Sequence, residues 1–237
     1  MPEKLIKSSD RVKDHGEVFT PQKTVDFMLD QPEVEEKIND LMATFLEPSA
    51  GEGAFLVELL KRKINVAAGN SATISEFNEN SLVALSTLYG IEYLEDNVEM
   101  LVMNMITTFV ENYSLLTVKK YGVQPDDKVE KSAKVIINAN MAQGDTLKRE
   151  NSEGKPIIFS EWKMIPGKIN KVQRSEYTFE SIVDGGTAND TVVGYQKGRS
   201  EQLSLFDLDD RGSHEEVKTP KSYSVVKWID IYRQQVE

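Results

Sequence analysis

The stretch Phe45-Leu46-Glu47-Pro48-Ser49-Ala50-Gly51-Glu52-Gly53-Ala54-Phe55-Leu56 constrains this chain more than any other. Thr44 to Leu46 read as the end of a buried strand, and the apolar run Phe55 to Leu60 can open a helix. A turn of small residues joins the two. Glycines there allow a ligand close to the backbone, and the helix that follows aims unpaired N–H groups and a positive dipole end at it. An ordinary strand-to-helix turn can also carry Gly-x-Gly, but the longer Pro-Ser-Ala-Gly-x-Gly string is more specific. Its spacing differs from the three-glycine dinucleotide fingerprint.

The string resembles motif I of the S-adenosylmethionine-dependent DNA amino-methyltransferases, the adenine-modifying group of bacterial restriction-modification systems. The resemblance implies an α/β architecture: a doubly wound, mostly parallel sheet of the class I methyltransferase (Rossmann-like) type, with S-adenosylmethionine over the carboxyl ends of the strands. Upstream, Gly16-Glu17-Val18-Phe19-Thr20-Pro21 is similar to motif X, whose Phe-Thr-Pro packs on the cofactor. Downstream, Tyr89-Gly90-Ile91-Glu92 is similar to motif II, whose acid accepts from both ribose hydroxyls. Gln143-Gly144-Asp145 is similar to the Gly-Asp after strand three, near the adenine amine. The cofactor residues so implied are Phe19, Thr20, Pro21, Glu47, Pro48, Ala50, Gly51, Gly53, Phe55, Glu92, Tyr93 and Asp145.

Local patterns fill in the elements between these motifs. Residues 1–14 read as a flexible arm. Thr20 suits an N-cap and Pro21 the first position of a helix through Val25 and Leu29. The helix after motif I is expected to end at Lys61-Arg62-Lys63, where cations complement its dipole or meet a DNA phosphate. Ala67 to Asn80 is expected to be a loop with a short helix after Ser75. Leu82 to Ile91 is an apolar run ending at Glu92. Asp96 and Glu99 open a helix in the manner of a capping box, with Val98, Leu101, Val102, Met105 and Phe109 on its core face. Gly122 to Ser132 is expected to be a linker before a further run, Ala133 to Ala139.

The resemblance stops where catalysis should begin. After a strand expected at Pro156 to Phe159, the family carries Asn or Asp followed by Pro-Pro and an aromatic, which accept the amine protons and stack on the flipped base. No such motif occurs in this chain. Ser160, Glu161 and Trp162 are the substitutes at that position, Trp162 to stack and the other two to accept. The alternative is a buried Trp beside an ordinary strand end. Activity then needs either this unusual set or a second chain, a methyltransferase or specificity subunit, that completes the site.

The main domain is expected over residues 15–172. Residues 173–221, rich in Gly, Ser, Thr, Asp and charge, read as a disordered or loosely ordered linker. Within it Gln202-Leu203-Ser204-Leu205-Phe206 resembles the ligand motif of the bacterial sliding clamp, with Gln202, Leu203, Leu205 and Phe206 as partner-binding residues. Docking of these anchors back on their own domain is the alternative. Residues 222–237 return to apolar character and suit a strand or a helix packed on the domain.

The chain carries 39 Asp and Glu against 28 Lys and Arg, a net charge of −11. That charge opposes DNA phosphates, so DNA should bind poorly without a partner. It contains no Cys and two His, which excludes thiolate chemistry and Cys-built zinc sites and leaves no material for a histidine metal cluster. No signal-peptide pattern opens the chain and no apolar run is long enough to cross a membrane, so a cytoplasmic location is expected. The resemblance, not the composition, implies a DNA adenine-N6 methyltransferase or its cofactor-binding subunit. The alternatives are a catalytically inactive binding module brought to replicating DNA by the clamp motif, and an RNA or protein methyltransferase.

Overall fold

The structure is a computed structural model that describes residues 7–15, 17–183 and 223–234. Three short helices come first: α1 (Ser9–His15), α2 (Gln22–Leu29) and α3 (Pro32–Asn39). Strand β1 (Phe45–Glu47) then leads through the glycine turn into α4 (Ala54–Gly69). The order continues with α5 (Ile74–Ser86), β2 (Leu88–Glu92), α6 (Glu95–Leu116), α7 (Asp127–Asn140) and β3 (Met141–Gln143). The chain closes with β4 (Ile158–Ile165), β5 (Lys168–Thr178), α8 (Phe179–Val183), β6 (Val226–Lys227) and a 3-10 turn, Trp228–Arg233.

The sheets overturn the doubly wound expectation. β1, β2 and β3 form a three-stranded parallel sheet in that order, and β4, β5 and β6 form a separate three-stranded antiparallel sheet. The protein is therefore mixed α/β, not a single doubly wound sheet. The cause lies in the connection after β3. A parallel strand needs a crossover of a dozen or more residues, usually helical. Residues 144–157 instead fold into bridges joining Asp145 to Glu150 and Glu150 to Pro156, with no helix among them. β4 then turns back at Pro166-Gly167 and pairs antiparallel with β5, from Ile158 opposite Thr178 to Met164 opposite Val172.

The main core lies where the helices meet. Leu56, Leu60 and Ile64 of α4, Leu101, Met105 and Phe109 of α6, and Ile136 and Ile137 of α7 are all fully buried. The stripe on α6 thus packs inward as its helical spacing requires. A second, smaller cluster of Ile91, Ile157, Phe159 and Phe179 joins β2 to the antiparallel hairpin.

Several local expectations change. Pro21, not Thr20, occupies the N-cap position of α2. α4 runs past Lys61-Arg62-Lys63 to Gly69, so those cations sit mid-helix. Lys63 is fully buried, and its ammonium donates to the carbonyls of Asp40 (3.0 Å) and Ala43 (2.9 Å), capping the end of the α3 segment. Most of Ala67 to Asn80 is helical, because Thr73 and Glu76 form a complete capping box that starts α5. Asp96 caps nothing; α6 begins after Leu94, and Asp96 pairs with Lys7 and Arg11. The linker expected to end at Ser132 gives way to α7 at Asp127, and Ala133 to Ala139 belong to that helix, leaving Met141–Gln143 as the strand. Gln173 to Thr178 belong to β5, so the segment read as a linker is ordered there. No described helix is long and apolar enough to cross a membrane.

Candidate functional site

The parallel register, Glu47 beside Gly90 and Glu92 beside Gln143, brings the three carboxyl ends together. The turns that follow, with Glu17 to Phe19, enclose a cavity of about 580 Å³. Pro48, Ser49 and Gly51 come from the first turn, Glu92, Tyr93 and Leu94 from the second, and Gly144, Asp145 and Thr146 from the third. A neighbouring cavity of about 380 Å³ shares Val18, Phe19 and Gly51 and adds Thr20, Ala50, Gly53 and Phe55.

The glycine turn holds its shape for two different reasons. Gly51 has φ +54° and open space where a Cβ would stand, so a side chain there would enter the cavity. Gly53 has φ +95°, and a Cβ would lie 2.6 Å from Leu101 Cδ1. Gly53 is thus a packing requirement between α4 and α6 as well as a turn residue.

Glu92 is the centre of the network. Its Oε2 accepts from the Gly51 N–H at 2.8 Å, and its Oε1 accepts from the Leu94 N–H at 3.0 Å and from Asn97 Nδ2 at 3.3 Å. A carboxylate offers about four acceptor positions, so three are already engaged by protein. Asn97 Nδ2 also donates to Glu17 Oε1 at 2.7 Å, and Glu17 pairs with Arg11. The Arg11 guanidinium holds the Glu17 carboxyl below its ordinary value, and does the same to Asp96. Lys7 reaches Asn97 Oδ1 at 2.6 Å and Glu52 at 2.7 Å. Residues 7–14, expected to be a loose arm, are therefore fastened beside the cavity.

The third turn is tied in as well. Thr146 Oγ1 donates to the Pro48 carbonyl at 2.6 Å, and the Gly144 N–H donates to the Glu92 carbonyl at 3.0 Å. Asp145 Oδ1 accepts from the N–H groups of Leu147 and Lys148, which lowers its carboxyl below the ordinary range, the Lys148 N–H most of all. Val18, Phe19, Leu94 and Leu147 supply the apolar part of the lining. Glu17, Glu92 and Asp145 line the cavity; Arg11 answers Glu17 and Lys148 answers Asp145 at 3.3 Å, so Glu92 is the carboxylate that favours a cationic, hydroxyl-bearing ligand over a phosphate.

Most of the residues expected at the cofactor meet here, with two exceptions. Glu47 lines a different cavity with Phe45, Leu46 and Leu59, and burial raises its carboxyl above the usual value. Pro21 lines neither cavity and is the N-cap of α2. Asn97 and Thr146 are at the site although no spacing marked them, and so is Glu17, which lies in the motif X string but is not among the implied cofactor residues; their places depend on contacts with residues distant in the chain.

Ser160, Glu161 and Trp162 do not join this site. They lie within β4, not in a turn after it, because the strand continues to Ile165. Trp162 is buried in the main core and its indole N–H donates to Asn140 Oδ1 at 3.0 Å. The Ser160 hydroxyl accepts from Arg174, and Glu161 accepts from the Tyr177 hydroxyl at 2.6 Å. Ser160 and Glu161 line a separate apolar cavity of about 290 Å³ with Leu46, Tyr89, Phe159 and Tyr177. Gln202, Leu203, Leu205 and Phe206 lie outside the described residues. Comparison with protein-family models, with curated proteins and with solved structures finds no match.

Proposed function

We propose that this chain is the S-adenosylmethionine-binding subunit of a DNA adenine-N6 methyltransferase. The observation that carries the reading is the convergence of Phe19, Gly51, Glu92 and Asp145 on one acidic cavity at the ends of three parallel strands. Each of these residues belongs to a motif that resembles the cofactor-binding set. The chain would bind the nucleoside by the Glu92 carboxylate and the apolar walls, with the sulfonium and ammonium groups facing the acidic lining. The cofactor would supply the methyl group, which leaves sulfur for the amine nitrogen while sulfur keeps the bonding electron pair. The amine proton needs an acceptor. Ser160, Glu161 and Trp162 are engaged in internal contacts away from the cavity, which favours a second chain as the source of the acceptor and the base-stacking group.

Calorimetry of the full chain tests this. S-adenosylmethionine and S-adenosylhomocysteine should bind, while ATP and NAD should not, since their phosphates meet carboxylates. No binding of either sulfur nucleoside to well-folded protein would overturn the reading. Methyl transfer to DNA by the chain alone, at a rate that a partner does not raise, would overturn the subunit assignment and leave cofactor binding standing.

A further inference from the structure

β1 is an edge strand of a parallel sheet, and its pairing leaves one side open. The Phe45 N–H donates to the Thr87 carbonyl at 2.9 Å, and the parallel register continues through Glu47 opposite Gly90. This alternation turns the N–H and C=O of Leu46 away from β2. Among the described residues no strand pairs with β1 on that side. Parallel strands are normally buried on both faces, and an open edge is a template for another strand.

Both faces of this edge carry an apolar groove. On the face of Thr44 and Leu46 lies the cavity of about 290 Å³, walled by Tyr89, Phe159, Tyr177 and Ile182. On the face of Phe45 and Glu47 lies one of about 360 Å³, walled by Met28, Leu29, Val34 and Leu59. A strand laid along β1 would place the residue opposite Leu46 in the first groove and its two neighbours in the second. Side-chain alternation demands this. The segment that fits is thus a continuous apolar run, as in a buried strand, not an alternating one.

The surroundings select the charge of the occupant. Glu47 is the one carboxylate that lines the second groove, and residues 22–40, which supply its Met28, Leu29 and Val34, carry six carboxylates and two lysines. Arg62 answers Asp30 at 2.7 Å and Asp26 at 3.7 Å. Glu33, Glu35, Glu36 and Asp40 remain exposed, and Glu47 has no ion-pair partner among the described residues. A second copy of this acidic chain would set carboxylates against carboxylates. We propose that the outer edge of β1 receives an extended, apolar segment flanked by basic residues from a different polypeptide, which adds to the parallel sheet as its fourth strand. This inference stands whether or not the neighbouring cavity binds S-adenosylmethionine.

The test uses the isotope-labelled full chain and three synthetic heptapeptides. One has a Val-Ile-Val centre with two lysines at each end, one has glutamates in place of the lysines, and one has a Val-Pro-Val centre with lysines. The first should bind and slow hydrogen exchange at the Leu46 amide, while the other two bind at least about tenfold more weakly. Reversing Glu33, Glu35 and Glu36 to Lys, all exposed and away from the core, should make the glutamate-flanked peptide the better ligand. Equal binding of all three peptides, binding of none, or binding that leaves the Leu46 amide unprotected would overturn the proposal. A Leu46 amide already protected in the free chain would overturn it too. Sedimentation would then assign the edge to residues 184–222 of the same chain if monomeric, or to a second copy if dimeric.

Discussion

Glu92 does two jobs with one carboxylate: it ties the glycine turn to β2 and lines the cavity, where its remaining acceptor position would read a hydroxyl. Glu92→Gln can satisfy the Gly51 N–H or the Leu94 N–H, but its amide NH₂ opposes the other. It should lose about 1–3 kcal/mol in denaturant unfolding and at least about tenfold in S-adenosylmethionine affinity. Gly51→Asn tolerates the left-handed backbone and fills the cavity. It should lower affinity by a similar factor with little change in stability; unchanged affinity in calorimetry would detach the turn from the ligand. Lys63 makes a prediction about pH. Burial lowers its ammonium to about 8 from an ordinary 10.5, so the unfolded chain holds that proton more tightly. Below about pH 8 both states are protonated and the cost of burying the charge is fully present. Stability from this group therefore rises as pH climbs from about 8 to about 10.5, by up to about 3 kcal/mol. Lys63→Met should abolish that rise and leave two carbonyls unsatisfied, lowering stability at pH 7; a variant keeping the same pH slope would refute the assignment.

At the level of elements, β4 decides what Trp162 is for. Its indole fills the core and donates to Asn140, whose amide donates in turn to the carbonyls of Ser86 and Leu88, both at 3.1 Å. The residue therefore locks the hairpin to the α5–β2 junction. Trp162→Ala should cost about 3–5 kcal/mol of stability, as large-to-small core substitutions do. Trp162→Phe, which loses the hydrogen bond and keeps much of the volume, should cost less. Thermal or denaturant unfolding measures both, and a fully stable Trp162→Ala would mean that the indole is free for another role. α5 is longer than the polar stretch it begins in suggests. Thr73-Ile74-Ser75-Glu76 is a capping box written in the sequence, but the Gly, Asn and Ser around it masked the helix.

For the whole molecule, charge governs association. With a net −11, the chain alone should bind duplex DNA no better than weak non-specific proteins, in the range of about 10⁻⁴ to 10⁻⁶ M, and lose that on added salt. Fluorescence anisotropy at two salt concentrations checks this; tight, salt-resistant binding would place the DNA contact on this chain after all. Sequence alone determined what short-range physics controls: the strand–glycine-turn–helix unit at β1 and α4, the buried face of α6, and Glu92 at the end of β2. Backbone sterics, helical periodicity and turn chemistry act over a few residues, so they are readable without a partner in view. Only the tertiary structure decided which strands pair, and hence that Ser160 to Trp162 sit in an antiparallel hairpin. It also turned Glu47 toward an open edge and brought Glu17, Asn97 and Thr146 to the cavity. Those outcomes depend on crossover geometry and on hydrogen bonds spanning as many as 98 residues, as from Thr146 to Pro48, which no local pattern encodes.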